Sequence, residues 1–260
     1  MSYFVKFSDK FVRFFYSLHG GPGGRQVDPF LKSRREMALS RVIVRRLYER
    51  SGRISFMAEK ETGRVEAFSD GVFAIAITLL ILEIKVPKLS HEISSPVLAA
   101  ALLDLWPSFI AFLLSFFAIL IMWINHHGLF NLVRRVNPGF LYANGFLLLL
   151  ICFVPFPTAV LAEHLEGGAR DAAAAFYCGT FIFISIGYNL IWQCMVRGDL
   201  LKSEVPAEHV RKITRAYLLG MAVYAVSTIV ALFNGYLGLG MNLSLWILWS
   251  VLGYRPSRSS

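Results

Sequence analysis

Two polar residues, Ser69 and Asp70, stand about one turn into the apolar stretch EAFSDGVFAIAITLLILEIKVP at 66–87. Past Asp70 the stretch holds only Gly, Ala, Val, Ile, Leu, Phe and one threonine, Thr78, until Glu83. A lone carboxylate at the mouth of a membrane-length helix is costly unless it is paired, hydrogen-bonded or neutralised. The partners on offer are Asn125, His126 and His127 in MWINHHGLF, at the close of a second apolar run, and Arg64, a long side chain able to snorkel in from the interface. An Arg–Ser–Asp–His cluster has three chemical uses: a polar staple that fixes helix packing and gating, a proton relay, or a metal site. Adjacent histidines project about 100° apart on a helix, which sets His126 and His127 against sharing one metal.

Beyond Asp70, Ile75, Leu79 and Leu82 recur at i, i+4 and i+7 and so form one stripe, with Thr78 beside Ile75 and Leu82. Gly71, Ala74 and Ala76 are small enough to let other helices approach closely. A plain packed helix whose threonine bonds its own backbone is the competing reading of this stripe.

The elements that position these residues follow from composition. The 260 residues are 56% hydrophobic and only 17% charged, with a mean hydropathy of +0.56. A soluble domain carries about 25% charged residues. Charge crowds into the first 65 residues, and the remainder is long apolar runs with short polar breaks. These runs predict six transmembrane helices near 66–86, 103–125, 140–162, 172–195, 213–233 and 236–253, each close to the ~20 residues that cross a hydrocarbon core. The last two are separated only by the short break NGYLG at 234–238. The fold class is an all-α membrane protein, multi-pass in the cell inner membrane.

Of the 26 Lys and Arg residues, 23 fall in the N-terminus, the second and fourth loops and the C-terminus, and 3 on the opposite side. The positive-inside rule then places both termini in the cytoplasm. The net charge of +9 is a topology signal spread over the inner segments, so no nucleic-acid partner is expected. Cys152, Cys178 and Cys194 lie singly inside spans and read as small hydrophobes.

Residues 1–63 form a basic extension, 64–255 the six-span domain and 256–260 a short tail. The extension reads as an amphipathic segment on anionic lipid, a disordered extension, or a start assigned upstream of Met57; no signal peptide is recognised. No nucleophile elbow, H-E-x-x-H, cysteine cluster or Gly-rich phosphate loop is present, so no enzyme, cofactor or metal is expected.

The run Arg64–Ile84, RVEAFSDGVFAIAITLLILEI, resembles the first-helix signature R-x-x-x-F-S-D of the bacterial relatives of transmembrane protein 175, the endolysosomal potassium channel. WINHH at Trp123–His127 is similar to that family's companion motif. The resemblance implies a potassium-selective channel in the lipid bilayer, a homotetramer of six-span subunits whose first helix lines the central pore. It places the constriction at Ile75, Leu79 and Leu82 and a hydroxyl ring at Thr78. It gives Arg64, Phe68, Ser69, Asp70, Trp123, Asn125 and one of His126 and His127 to a packing network behind the pore helices. The rival reading is a proton-coupled secondary transporter using Asp70 and a second-span histidine. Its one hint is the proline pair Pro155 and Pro157, which more often marks a kink or helix end.

Overall fold

The first apolar run becomes a helix that starts earlier than its hydropathy suggests. In the computed structural model, which describes residues 61–89 and 94–251, the span Glu61–Glu83 is α-helical (α1) to residue 79 and closes with a 3-10 turn, Leu80–Glu83. The expected span 66–86 is therefore shifted by about one turn. The helix takes in the interfacial residues Glu61–Val65, of which Glu61 and Arg64 are good helix formers, and at the far end Pro87 favours extended backbone before it. The expectations on residues 1–60 and 252–260 lie outside the described residues.

The other helices are α2 (Ser95–Leu103), α3 (Trp106–Phe130), α4 (Pro138–Phe153), α5 (Pro155–His164), α6 (Arg170–Arg197), α7 (Ala207–Ala231) and α8 (Gly235–Val251). Among the described residues the sole strand-type pairing is an isolated bridge, Val133 with Leu201. Helix α2 occupies a stretch read from the sequence as loop. Its run SPVLAAALL has Pro at the tolerated first turn and a strong helix-forming interior.

Helix α3 runs on to Phe130 rather than ending near 125, so Asn125, His126 and His127 are helical and share faces with residues a turn away. The third apolar run is split at Val154, because Pro155 and Pro157 lack the N–H groups a continuous helix needs. Val154 keeps helical dihedrals and its carbonyl still accepts the Thr158 N–H at 3.2 Å, so α4 and α5 form one kinked span, Pro138–His164.

Among the described residues five helical stretches are long and apolar enough to cross a membrane: Glu61–Glu83, Trp106–Phe130, Pro138–His164, Arg170–Arg197 and Ala207–Ala231. The sixth expected span is α8, 17 residues long, at the lower end of the ~17–25 that can cross.

Helix α6 is the hub of the bundle. It buries Tyr177, Phe181, Ile184, Tyr188 and Trp192 and packs against α4, α5, α7 and α8. The α7–α8 hairpin depends on close approach. A β-carbon at Gly238 would stand 2.4 Å from that of Ala231, and one at Gly220 would meet the Trp249 ring at 2.4 Å. Asp171 accepts the Gly235 N–H at 2.9 Å and the Arg170 guanidinium lies over the Tyr236 ring, which fixes the start of α8 to the start of α6. At the opposite end, Arg134 and Asp199 form an ion pair at 3.1 Å beside the Val133–Leu201 bridge, joining the α3–α4 loop to the α6–α7 loop. The 3-10 turn of α1 packs on α3 and α5.

Candidate functional site

The apolar sequence of α1 presents two contrasting faces. Ser69, Phe73, Ala76 and Leu80, spaced as one helical stripe, are buried against the rest of the subunit. On the other side Phe68, Ile75, Leu79 and Leu82 are 67%, 61%, 43% and 68% exposed. Thr78 lies on that uncovered side, and its hydroxyl donates to the Ile75 carbonyl at 2.9 Å. The competing expectation, a threonine bonded to its own backbone, is thus what the structure contains. With the proton committed inward, the oxygen keeps lone pairs free to face away from the helix.

Behind this face, polar side chains tie α1 to its neighbours. The Asp70 Oδ1 accepts the indole N–H of Trp123 at 2.9 Å. One turn earlier, Glu66 Oε1 and His127 Nδ1 are 2.8 Å apart. Positions 66 and 70 on α1 thereby match 127 and 123 on α3, the register of two antiparallel helices meeting through i, i+4 pairs. The Trp123 and His127 rings stack at a centroid distance of 6.2 Å.

Between these two rungs lies a buried chain. Ser69 donates to the Val65 carbonyl at 2.9 Å, the Asn144 amide nitrogen donates to Ser69 Oγ at 2.9 Å, and Asn144 Oδ1 is 2.8 Å from His126 Nε2. Because the amide nitrogen of Asn144 is the donor to Ser69, its oxygen must accept, so His126 carries its proton on Nε2. His126 Nδ1 is buried with no hydrogen-bond partner among the described residues. The ring sits between Phe73 and Phe130, at centroid distances of 5.2 and 4.8 Å.

The structure therefore joins Ser69 and His126 through an intermediary, and joins Asp70 to Trp123 rather than to a histidine. Asn125 donates to the Ile121 carbonyl of its own helix at 2.9 Å and takes no part in holding Asp70. Arg64 is exposed on the outer side of α1, lining a groove with Phe68 and Leu141, and has no ion pair among the described residues. Helical rotation is the reason: Arg64 and Phe68 lie one turn apart on the uncovered face, while Asp70 is turned toward α3. The two histidines diverge, His126 inward and His127 outward, as the 100° step requires. Among the described residues no group of three or more His, Cys, Asp or Glu side chains gathers into a metal site.

Two members of this network, Asn144 and Glu66, are absent from the residues expected from the sequence. Asn144 was visible as a lone amide in the apolar run FLYANGFLLLL, and a polar residue in such a run seeks a partner on another helix. Glu66 stands four residues before Asp70, on the same face. A second buried set, Ser115 with Thr158 at 2.6 Å and Tyr177 at 3.1 Å, links α3, α5 and α6.

The sequence model of the endosomal/lysosomal potassium channel TMEM175 matches residues 64–155, the segment that contains every member of the α1 network. A potassium channel of Chamaesiphon minutus is 47% identical over 195 residues, covering 74% of this chain and 95% of that one. The chain belongs to the TMEM175 family. A potassium channel of Streptomyces collinus is 43% identical over 169 residues, or 64% of this chain and 81% of that one. The crystal structure of a lysosomal potassium-selective channel TMEM175 homolog from Chamaesiphon minutus superposes with a TM-score of 0.64 at 45% identity. It covers 74% of this chain and 97% of that one.

Proposed function

We propose that the chain is a potassium-permeable cation channel of six spans, with α8 as the sixth and both termini cytoplasmic. It works as a homotetramer in the inner membrane, α1 from each subunit lining a central pore. The observation that carries this reading is the two-faced α1: its Ser69 face is fastened to α3 and α4, while Ile75, Thr78, Leu79 and Leu82 are left uncovered by the subunit's own helices. The TMEM175 relatives described as potassium channels, which match nearly their full length, supply the ion.

In this reading rings of Ile75, Leu79 and Leu82 form an apolar constriction that excludes water when narrow and conducts after a modest rotation or tilt of α1. Four Thr78 oxygens, their protons turned to Ile75 carbonyls, offer lone pairs that partly replace a cation's hydration shell. The network of Glu66, Ser69, Asp70, Trp123, His126, His127 and Asn144 sets the angle at which α1 enters the pore. Phe68 and Arg64, on the uncovered side, take up positions toward neighbouring subunits or lipid.

The transporter reading needs a carboxylate and a histidine that exchange protons. Against it stand the engagement of His126 with Asn144 rather than with a carboxylate, the Asp70–Trp123 bond and the kinked but continuous third span, which lacks the broken helix of a midplane site. Recordings from purified protein in planar bilayers separate the two. The channel gives unitary current steps in symmetrical potassium chloride, whereas a carrier gives saturable flux without steps.

A further inference from the structure

The side of the bundle away from α1 contains a cavity of about 40 Å³ between α3, α6, α7 and α8. Asn125, Ser185, Tyr188, Tyr224, Trp246 and Trp249 contribute polar and aromatic groups to its wall, and no charged side chain lines it. Two of these groups are orphans: Ser185 Oγ and Trp246 Nε1 are buried with no hydrogen-bond partner among the described residues. Both residues are deeply buried, Ser185 at 5% and Trp246 at 4% exposure. An indole N–H can only donate and a serine hydroxyl can do both, so a hydroxyl oxygen suits either group.

The cavity adjoins a surface groove. Ile121 and Trp246 line both it and an apolar groove of about 280 Å³ between α3 and α8, with Phe117, Leu243 and Ile247 along it. An apolar groove thus lies beside a small socket that holds two unpaired polar groups. At about 10–15 Å³ per water, the socket admits a head of roughly three water-sized groups. That size excludes a ring or a quaternary ammonium, and the lack of any charged lining residue excludes a phosphate or carboxylate head.

We propose that this socket and groove form a binding site for a neutral amphiphile with a hydroxyl head and an alkyl tail. The tail lies in the α3–α8 groove, and the hydroxyl oxygen accepts from the Trp246 indole and exchanges a hydrogen bond with Ser185. The site is separate from the α1 network, and it requires only that α3 and α8 lie in a bilayer.

The test is a titration of the full chain, reconstituted in saturated phosphatidylcholine vesicles, with a long-chain alcohol brominated a few carbons from its hydroxyl, where the chain leaves the socket past Trp246. Tryptophan fluorescence is the readout, since bromine quenches an indole at contact. The expected result is saturable quenching by the alcohol but not by the brominated alkane of equal length. Ser185→Ala raises the half-saturation concentration about three- to tenfold, the loss of one hydrogen bond. Ile247→Phe, a change at an exposed groove position that leaves the socket intact, abolishes saturation. The proposal is overturned by unsaturable quenching, by equal saturation with the alkane, or by a half-saturation point that neither variant moves. Because the readout is fluorescence rather than flux, failure here leaves the channel reading intact, and failure of that reading leaves this one to stand or fall alone.

Discussion

The carboxylate of Asp70 on α1 accepts the indole N–H of Trp123 on α3 at 2.9 Å, and four residues away on each helix Glu66 meets His127 at 2.8 Å. The two contacts differ in energetic weight. His127 is 53% exposed at its side chain, and exposed ion pairs contribute about 0–1 kcal/mol. The Asp70 bond involves a charged acceptor and a half-buried donor, so Trp123→Phe costs about 1–2 kcal/mol of stability while keeping the ring stack. His127→Ala costs less than that. Unfolding of the reconstituted protein in denaturant ranks the two; an equal or reversed ranking contradicts the assignment of Asp70 as the stronger anchor.

The buried chain Ser69–Asn144–His126 gives a second test. His126→Phe preserves an aromatic between Phe73 and Phe130 but leaves Asn144 Oδ1 without its donor, a cost of about 1–3 kcal/mol. Asn144→Leu added to His126→Phe removes the stranded amide, so the double variant is more stable than the sum of the single costs predicts. Strict additivity in a double-mutant cycle means that the two residues do not share one network.

These two rungs also mark how far the sequence is legible. Spans are long runs of apolar residues, so hydropathy finds them to within a turn or two. Asp70 announces itself because a carboxylate in such a run is costly. Its partner does not, because the choice among Trp123, Asn125, His126 and His127 depends on how far α3 extends and how it is rotated. Once α3 continues to Phe130, Trp123 and His127 fall on one face and His126 turns inward. Asn144 stands out locally as a lone amide, but its partners do not: they require α4 to pass beside both Ser69 and His126, a tertiary fact with no local signature. The kink at Val154 and the packing demand at Gly238 are local, one from missing proline N–H groups and one from a short hairpin, yet only the first has a sequence signal.

The α7–α8 hairpin supplies a third prediction. Gly238→Ala forces a β-carbon into contact with Ala231 and the Ser227 carbonyl, while Gly240→Ala meets nothing within 4 Å. Overpacking of this kind costs about 1–3 kcal/mol, against a small gain in helix propensity at 240. Thermal unfolding therefore separates the variants, with Gly238→Ala the less stable. Equal stability contradicts the close approach of α7 and α8.

The uncovered stripe of α1 gives a fourth. Leu79→Ser places a hydroxyl in a ring that holds water out by its apolar character, and basal potassium flux through vesicles rises several-fold. Leu141→Ser, an apolar-to-polar change at a similarly exposed site on α4, leaves flux unchanged. Equal behaviour of the two removes the constriction from Leu79.

Whether this chain passes potassium, and whether α1 chooses the ion, is decided by flux. Purified protein in vesicles is assayed for potassium and sodium flux down matched gradients, for the natural chain and for Thr78→Ala. The expected result is flux that favours potassium over sodium and a smaller preference in Thr78→Ala, whose hydroxyl ring is gone. Absence of flux of either ion from folded, inserted protein contradicts it, and a preference untouched by Thr78→Ala contradicts the assignment of selectivity to the hydroxyl ring of α1.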